Sequence, residues 1–373
     1  MKKLFIIFAV LCLAAPTMAA EWDFYGSSRL GTWRTSNDIG NPTDSDDDTS
    51  WYHHGNSRFG ATVKFNDQIG GAIEMSESFG KRKLYGTYAF GGSELLIGQT
   101  YTPSSSMFYS NSVYATDGNL LGVGQHYVGR VPMIQWSIAG FKLALIEPNL
   151  VDIEETAATD PSVVGGVYVA GTAATNYDLD VDLPKIELAY KFKTDMFFAE
   201  VFGGYQSYTA DGATKDYDID SYVAGLGGGL TLGPVFFNAG VHMGQNLGNY
   251  GSSGFASPDN ATTAQSDANA AGKATYSATD DDFIDNDAFG YLAVLGFNIS
   301  EMFTVEVGYG YMEYEPDTSN SKSDNATQYY MNCTVNIAPN FFIVPEIGKI
   351  DYEAAEQDNG DVLYYGAKWQ INF

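Results

Sequence analysis

Apolar and polar positions alternate along most of this chain with a period of two, the period of a β-strand whose faces meet different surroundings. In residues 303–311, Phe303, Val305, Val307, Tyr309 and Tyr311 share one face, and Thr304, Glu306, Gly308 and Gly310 share the other. Residues 185–192 set Ile186, Leu188, Tyr190 and Phe192 against Lys185, Glu187, Ala189 and Lys191. The chain ends in the same way, with Leu363, Tyr365, Ala367, Trp369, Ile371 and Phe373 on one face and Tyr364, Gly366, Lys368, Gln370 and Asn372 on the other. The pattern predicts sixteen strands: 22–34, 52–66, 69–79, 82–91, 93–101, 127–139, 140–148, 183–193, 196–208, 218–232, 234–246, 288–300, 302–314, 327–338, 340–353 and 361–373.

Their connections alternate in length. Tight turns rich in Gly, Pro, Asn and Asp fall at 66–68, 91–93, 139–140, 193–195, 232–234, 300–302 and 338–340, where hairpins need them. The other links are mostly long and polar, the longest spanning 247–287. A soluble sandwich has no reason to sort its loops by length; a barrel across an outer membrane has short turns at one end and long loops at the other.

The polar face also carries many charges, among them Arg29, Arg58, Glu74, Glu187, Glu200, Glu306, Glu346 and Lys368. Burying each would cost several kcal/mol unless it were paired. Turning the apolar face to lipid and the charged face to water inside satisfies both, and in lipid the sheet must close. The expected fold is therefore all-β, a closed antiparallel transmembrane β-barrel of about 16 strands, with short periplasmic turns and long extracellular loops. A barrel of that size encloses an aqueous channel, which would leave the even positions of the last strand in water.

Composition narrows the function. With 46 acidic against 19 basic residues the formal charge is −27, which excludes nucleic acid as a partner. Residues 1–19 have the anatomy of a cleaved secretory signal peptide: Lys2 and Lys3, an apolar run from Leu4 to Ala15, then small residues. That leaves 20–373 as one barrel domain. Beyond Cys12 the single cysteine is Cys333, so no internal disulfide staples the exported chain, and Cys333 sits on the apolar face as an inert thiol. His53, His54, His126 and His242 lie in segments without a nucleophile motif, so no enzyme is expected. No cofactor is expected either. The acidic runs, Asp44, Asp46, Asp47 and Asp48 in one and residues 280–287 in another, read as solvated surface. They also offer Ca²⁺ or Mg²⁺ bridges to lipopolysaccharide phosphates.

Several stretches resemble those of Gram-negative general diffusion porins. FYGSSRLG (24–31) is similar to the family's first strand. SRFGATVKF (57–65) is similar to its second, with Arg58 at the place of a lumen-facing arginine. LIGQTYTP (96–103) is similar to the strand entering its third loop. Tyr365, Trp369 and Phe373 resemble the terminal signal read by the outer-membrane assembly machinery. The resemblance implies a homotrimer in the outer membrane, with the third loop, 102–126, folded into each pore. That loop carries Asp117 as its one charge, so a strong transverse field is not expected.

The expected pore lining is Arg29, Arg58, Lys64, Lys83 and Arg130, facing Asp117. The long loops hold 27 acidic residues against three lysines, Lys215, Lys273 and Lys322, which favours cations at the mouth. The reading is a porin for passive diffusion of small hydrophilic solutes and ions, with weak cation preference. Two alternatives share the architecture. One is a substrate-selective channel, whose sugar-binding version would need an aromatic slide such as Tyr25, Trp33, Tyr85 and Trp136. The other is a structural or adhesive surface barrel.

Overall fold

The computed structural model describes residues 20–39, 46–151, 154–156, 162–164, 167–169, 175–211, 215–255, 272–277, 280–319 and 321–373; the leader expected at 1–19 lies outside them. Strand β1 (Glu21–Asn37) is followed by β2 in two pieces, Asp46–His53 and Arg58–Lys64. Next come β3 (Ile69–Ser76), β4 (Lys81–Phe90), β5 (Ser93–Tyr101), β6 (Arg130–Ile138) and β7 (Phe141–Ile146). Strand β8 again has two pieces, Asp178–Asp180 and Lys185–Lys193, and leads to β9 (Phe197–Asp211), β10 (Asp216–Leu232) and β11 (Val235–Gln245). The last five are β12 (Asn286–Asn298), β13 (Phe303–Pro316), β14 (Asp324–Ala338), β15 (Phe341–Ala354) and β16 (Gln357–Asn372).

Each strand pairs antiparallel with the next, and β16 returns to β1 in register from Ser27↔Asn372 to Asn37↔Val362. The last residue completes the seam: the Gly26 N–H donates to the Phe373 carbonyl at 2.7 Å, and the Phe373 N–H to the Gly26 carbonyl at 3.0 Å. All sixteen expected strands are present, and the tight turns fall where expected. At 139–140 both Ala139 (φ 49°) and Gly140 (φ 87°) take the left-handed conformation that a two-residue hairpin requires. At 66–68 the Asn66 Oδ1 accepts the N–H groups of Gln68 and Ile69, both at 2.8 Å.

The two faces of the wall are unlike. Leu363, Tyr365, Trp369 and Ile371 are 41–52% exposed on the exterior, and Val307, Met331 and Ile347 extend the same row across β13–β15. So wide an apolar exterior suits hydrocarbon. No described helix is long and apolar enough to cross a membrane.

The interior differs from expectation in one respect. Lys368 and Gln370 do point inward, but they are only 5% and 6% exposed, and Tyr364 is fully covered. They are not in open water, because chain segments folded into the barrel lie against them. The buried apolar clusters sit between those segments and the wall, with Tyr109, Leu120, Leu292 and Tyr330 forming one and Trp33, Val113, Val344 and Tyr364 another.

Candidate functional site

Loop 102–126 crosses the lumen, so its backbone N–H groups need acceptors that the strand ladders cannot supply. Inward-facing glutamates from three strands supply them, and a fourth takes hydroxyl groups of the loop. Glu187 on β8 accepts from Ser104 N at 2.9 Å, and Glu306 on β13 accepts from Asn111 N at 2.7 Å. Glu346 on β15 accepts from Val113 N at 2.7 Å, Tyr114 N at 3.2 Å and Ser112 Oγ at 2.8 Å. Glu200 on β9 accepts from the hydroxyls of Tyr109 at 3.3 Å and Ser106 at 3.4 Å. These four glutamates, among the charges that argued for a wet interior, are thus buried, and each is bonded to the loop.

A second segment, 246–255, also folds inward and packs Leu247, Tyr250 and Phe255 against Val123 of the loop and Phe202 of the wall. It is fixed by Lys185 Nζ donating to the Tyr250 carbonyl at 2.8 Å and by the Tyr250 hydroxyl donating to Glu187 at 2.9 Å. His126 joins the two inserts, with its ring nitrogens 3.2 Å from Ser104 Oγ and 3.1 Å from Ser252 Oγ. Burial, then the neighbouring His242 and the Lys185 cation, hold the His126 imidazole well below its ordinary pKa of 6.5, so it is neutral at pH 7. This second insertion was not read from the sequence; the polar run after Gln245 looked like surface loop.

A cavity of about 390 Å³ remains between loop 102–126 and the wall of β1, β2, β5, β6, β15 and β16. Arg29, Arg58, Arg130 and Asp117, four of the six expected lining residues, border it. Asp117 does not face the basic groups across a gap as expected. It is ion-paired directly with Arg29 and, at 2.7 Å, with Lys368, while the Nδ1 of buried His54 lies 3.9 Å away. Burial pushes its carboxyl up, but Lys368 and Arg29 outweigh this and hold it below the usual carboxylate range.

Lys64 is a correction. It pairs with Asp67 at 2.8 Å beside a tight turn, is largely exposed, and does not border the cavity. Lys83 joins a neighbouring cluster instead, 3.5 Å from Glu74. Glu74 also takes Arg82 at 2.8 Å and stands 3.9 Å from Arg58. Arg82 was missed because its sequence parity points outward. A register shift between Glu74↔Lys83 and Met75↔Lys81 leaves Arg82 without a cross-strand partner, and it turns in beside Lys83. Lys368 carried a sequence signal, its inward parity. Its place beside Asp117 did not show there.

The aromatic groups at the cavity are Tyr101, Phe108, Tyr127 and Phe342, rather than the expected slide. Trp33 is buried beneath the loop against Tyr114 and Tyr364. Trp136 shares the outward parity of exposed Ile134. Of the acidic run, Asp44 lies outside the described residues, Asp46 and Asp48 sit in the upper piece of β2, and Asp47 pairs with Arg34 at 3.2 Å. Among the described residues no group of three or more His, Cys, Asp or Glu is arranged to hold a metal ion. Tyr365, Trp369 and Phe373 all lie on the exterior face of the closing strand.

No protein-family model and no curated protein matches this chain. Solved structures do match it over nearly its whole length, and they are Gram-negative outer-membrane porins and channels. The outer membrane channel DcaP of Acinetobacter baumannii shares 15% identity at a TM-score of 0.65, covering 96% of this chain and 98% of that one. OmpT, an outer membrane protein of Vibrio cholerae, shares 14% at 0.57, covering 94% and 98%. The anion-selective porin from Comamonas acidovorans shares 10% at 0.55, covering 95% and 100%. At these identities the likeness is one of fold.

Proposed function

We propose that this porin-fold barrel is an outer-membrane channel through which small hydrophilic solutes and ions diffuse passively. The supporting observation is the cavity beside loop 102–126, bordered by charged and polar side chains, inside a closed wall whose exterior is apolar. A homotrimer, surrounded by lipid and lipopolysaccharide, fits this reading; one of the similar Vibrio cholerae structures is described as a trimer form. Export through the leader, and assembly through a signal carried by Tyr365, Trp369 and Phe373, complete it.

Two charge features compete over selectivity. The acidic loops concentrate cations at the mouth, over about a Debye length of 8–10 Å at physiological salt. Among the residues bordering the gap, Arg29, Arg58, Arg130 and Lys368 stand against one carboxylate, Asp117, an excess of three positive charges, and the adjoining Arg82 and Lys83 stand against Glu74. Glu306 and Glu346 lie beneath the loop and are turned onto its backbone. Fields act most strongly where the path is narrow and its walls are of low dielectric. The gap therefore favours anions, and the expected cation preference is confined to the mouth.

Reversal potentials across planar bilayers under a KCl gradient test this. Chloride preference that weakens as salt rises supports it, whereas potassium preference at all salt concentrations restores the loop-dominated reading. Liposome swelling with sugars of graded size tests the channel itself: a size cut-off is expected, and absence of swelling favours a structural barrel.

A further inference from the structure

The lining of the cavity beside loop 102–126 has two chemically distinct parts that adjoin one another. In one, two guanidinium groups retain unused donors. Arg130 directs Nη1 to the Tyr101 hydroxyl at 2.7 Å and has no carboxylate within ion-pair distance among the described residues. Arg58 directs Nε to the Asn56 carbonyl at 3.0 Å, and its nearest carboxylate, Glu74, is 3.9 Å away. Glu74 is already engaged by Arg82 at 2.8 Å, the Tyr25 hydroxyl at 3.0 Å and Lys83 at 3.5 Å. Asp117 is consumed by Arg29 and Lys368. No described acid remains to neutralise this part.

Beside them, Tyr101, Phe108 and Tyr127 form one aromatic patch, with ring centroids 5.6–6.3 Å apart, and all three are only half-buried where they border the gap. Inert packing would turn these rings into a core. Here they flank the two guanidiniums, and Arg130 lies over the Tyr101 ring at 4.9 Å.

We infer that this cavity is a saturable binding site for an aromatic monocarboxylate, its ring on the Tyr101–Phe108–Tyr127 patch and its carboxylate on Arg130 and Arg58. The inference rests on the channel reading above and deepens it. The fork of N–H donors on a guanidinium matches the two oxygens of a carboxylate. Aromatic rings stack favourably at centroid separations of 4.5–7 Å. The volume lies within the roughly 300–1,000 Å³ range of small-molecule sites. Acetate would use only the charged part and a neutral ring such as benzyl alcohol only the aromatic part, so neither holds as well as benzoate.

Single-channel recording of the purified full-length protein in planar bilayers tests this. Benzoate should block the KCl current saturably, with an apparent Kd at least tenfold below those of acetate and benzyl alcohol. Arg130→Gln should raise the benzoate Kd about tenfold. Phe108→Ala should bring benzoate within threefold of acetate while leaving acetate unchanged. Lys64→Gln, outside the cavity, should change none of these. Normal KCl conductance with benzoate and acetate blocking alike, or not at all, overturns the inference and leaves the channel reading intact. Absence of any KCl conductance overturns both.

Discussion

Replacing Glu346 with alanine is the sharpest perturbation of this architecture. Its carboxylate accepts three bonds from loop 102–126, from Val113 N, Ser112 Oγ and Tyr114 N, and two more from Asn332 Nδ2 and the Tyr364 hydroxyl, both at 3.1 Å. A hydrogen bond to a charged acceptor contributes about 1.5–3 kcal/mol. Even at the low end, the three loop bonds come to about 4.5 kcal/mol, or roughly three decades in the ratio of docked to detached loop. The site is buried, so the freed N–H groups have no other acceptor until the loop lifts and admits water. Glu346→Ala should therefore raise single-channel conductance, add open-channel noise and expose residues 110–115 to protease in intact barrels. Glu346→Gln retains one carbonyl acceptor and should produce roughly half the effect. If Glu346→Ala leaves conductance, noise and cleavage as in the parent protein, the loop is held by something else and the carboxylate-latch reasoning is wrong.

Further outcomes follow from the same geometry. A Cβ added at Gly204 would stand 1.9 Å from the Tyr250 hydroxyl, so Gly204→Ala should push the 246–255 insert off Glu187. It should lower the thermal midpoint and increase conductance, while Gly233→Ala, with open space around its Cβ, should do so only through its positive φ of 60°. His126 is held neutral by burial, its pKa well below 6.5. Below about pH 6.5 the unfolded chain binds a proton that the folded one refuses, so stability should fall as pH falls, by up to about 1.4 kcal/mol per pH unit. Thermal midpoints from pH 7 to 5 check this, and His126→Gln should flatten the slope. Deleting Phe373 removes the two seam bonds with Gly26 and a ring that is 73% exposed. Membrane insertion in cells should fall much further than the stability of protein refolded in detergent; equal losses would argue against an assembly signal.

Much of this protein was legible one residue at a time. The period of two fixes which side chains share a face, and it is a local property that any strand displays. The hairpins were equally local, resting on backbone conformations that Gly140 or the side chain of Asn66 supplies within a few positions. Strand order followed, because a meander of short turns leaves one sensible way to close.

What the sequence could not convey was the partner each inward residue meets across the lumen. Lys368 and Asp117 are 251 positions apart, and Glu346 and Ser112 are 234 apart. No periodicity links such pairs; only the path of loop 102–126 through the closed barrel brings them together. The inward turn of Arg82 depends on a register shift between β3 and β4, invisible in either strand alone. Sequence determined the wall, its two faces and its turns, because those are set by neighbours along the chain. Tertiary structure alone decided that the charged face is largely covered, where the gap remains and which cations border it, because those depend on which donors and acceptors a folded-in segment leaves unsatisfied.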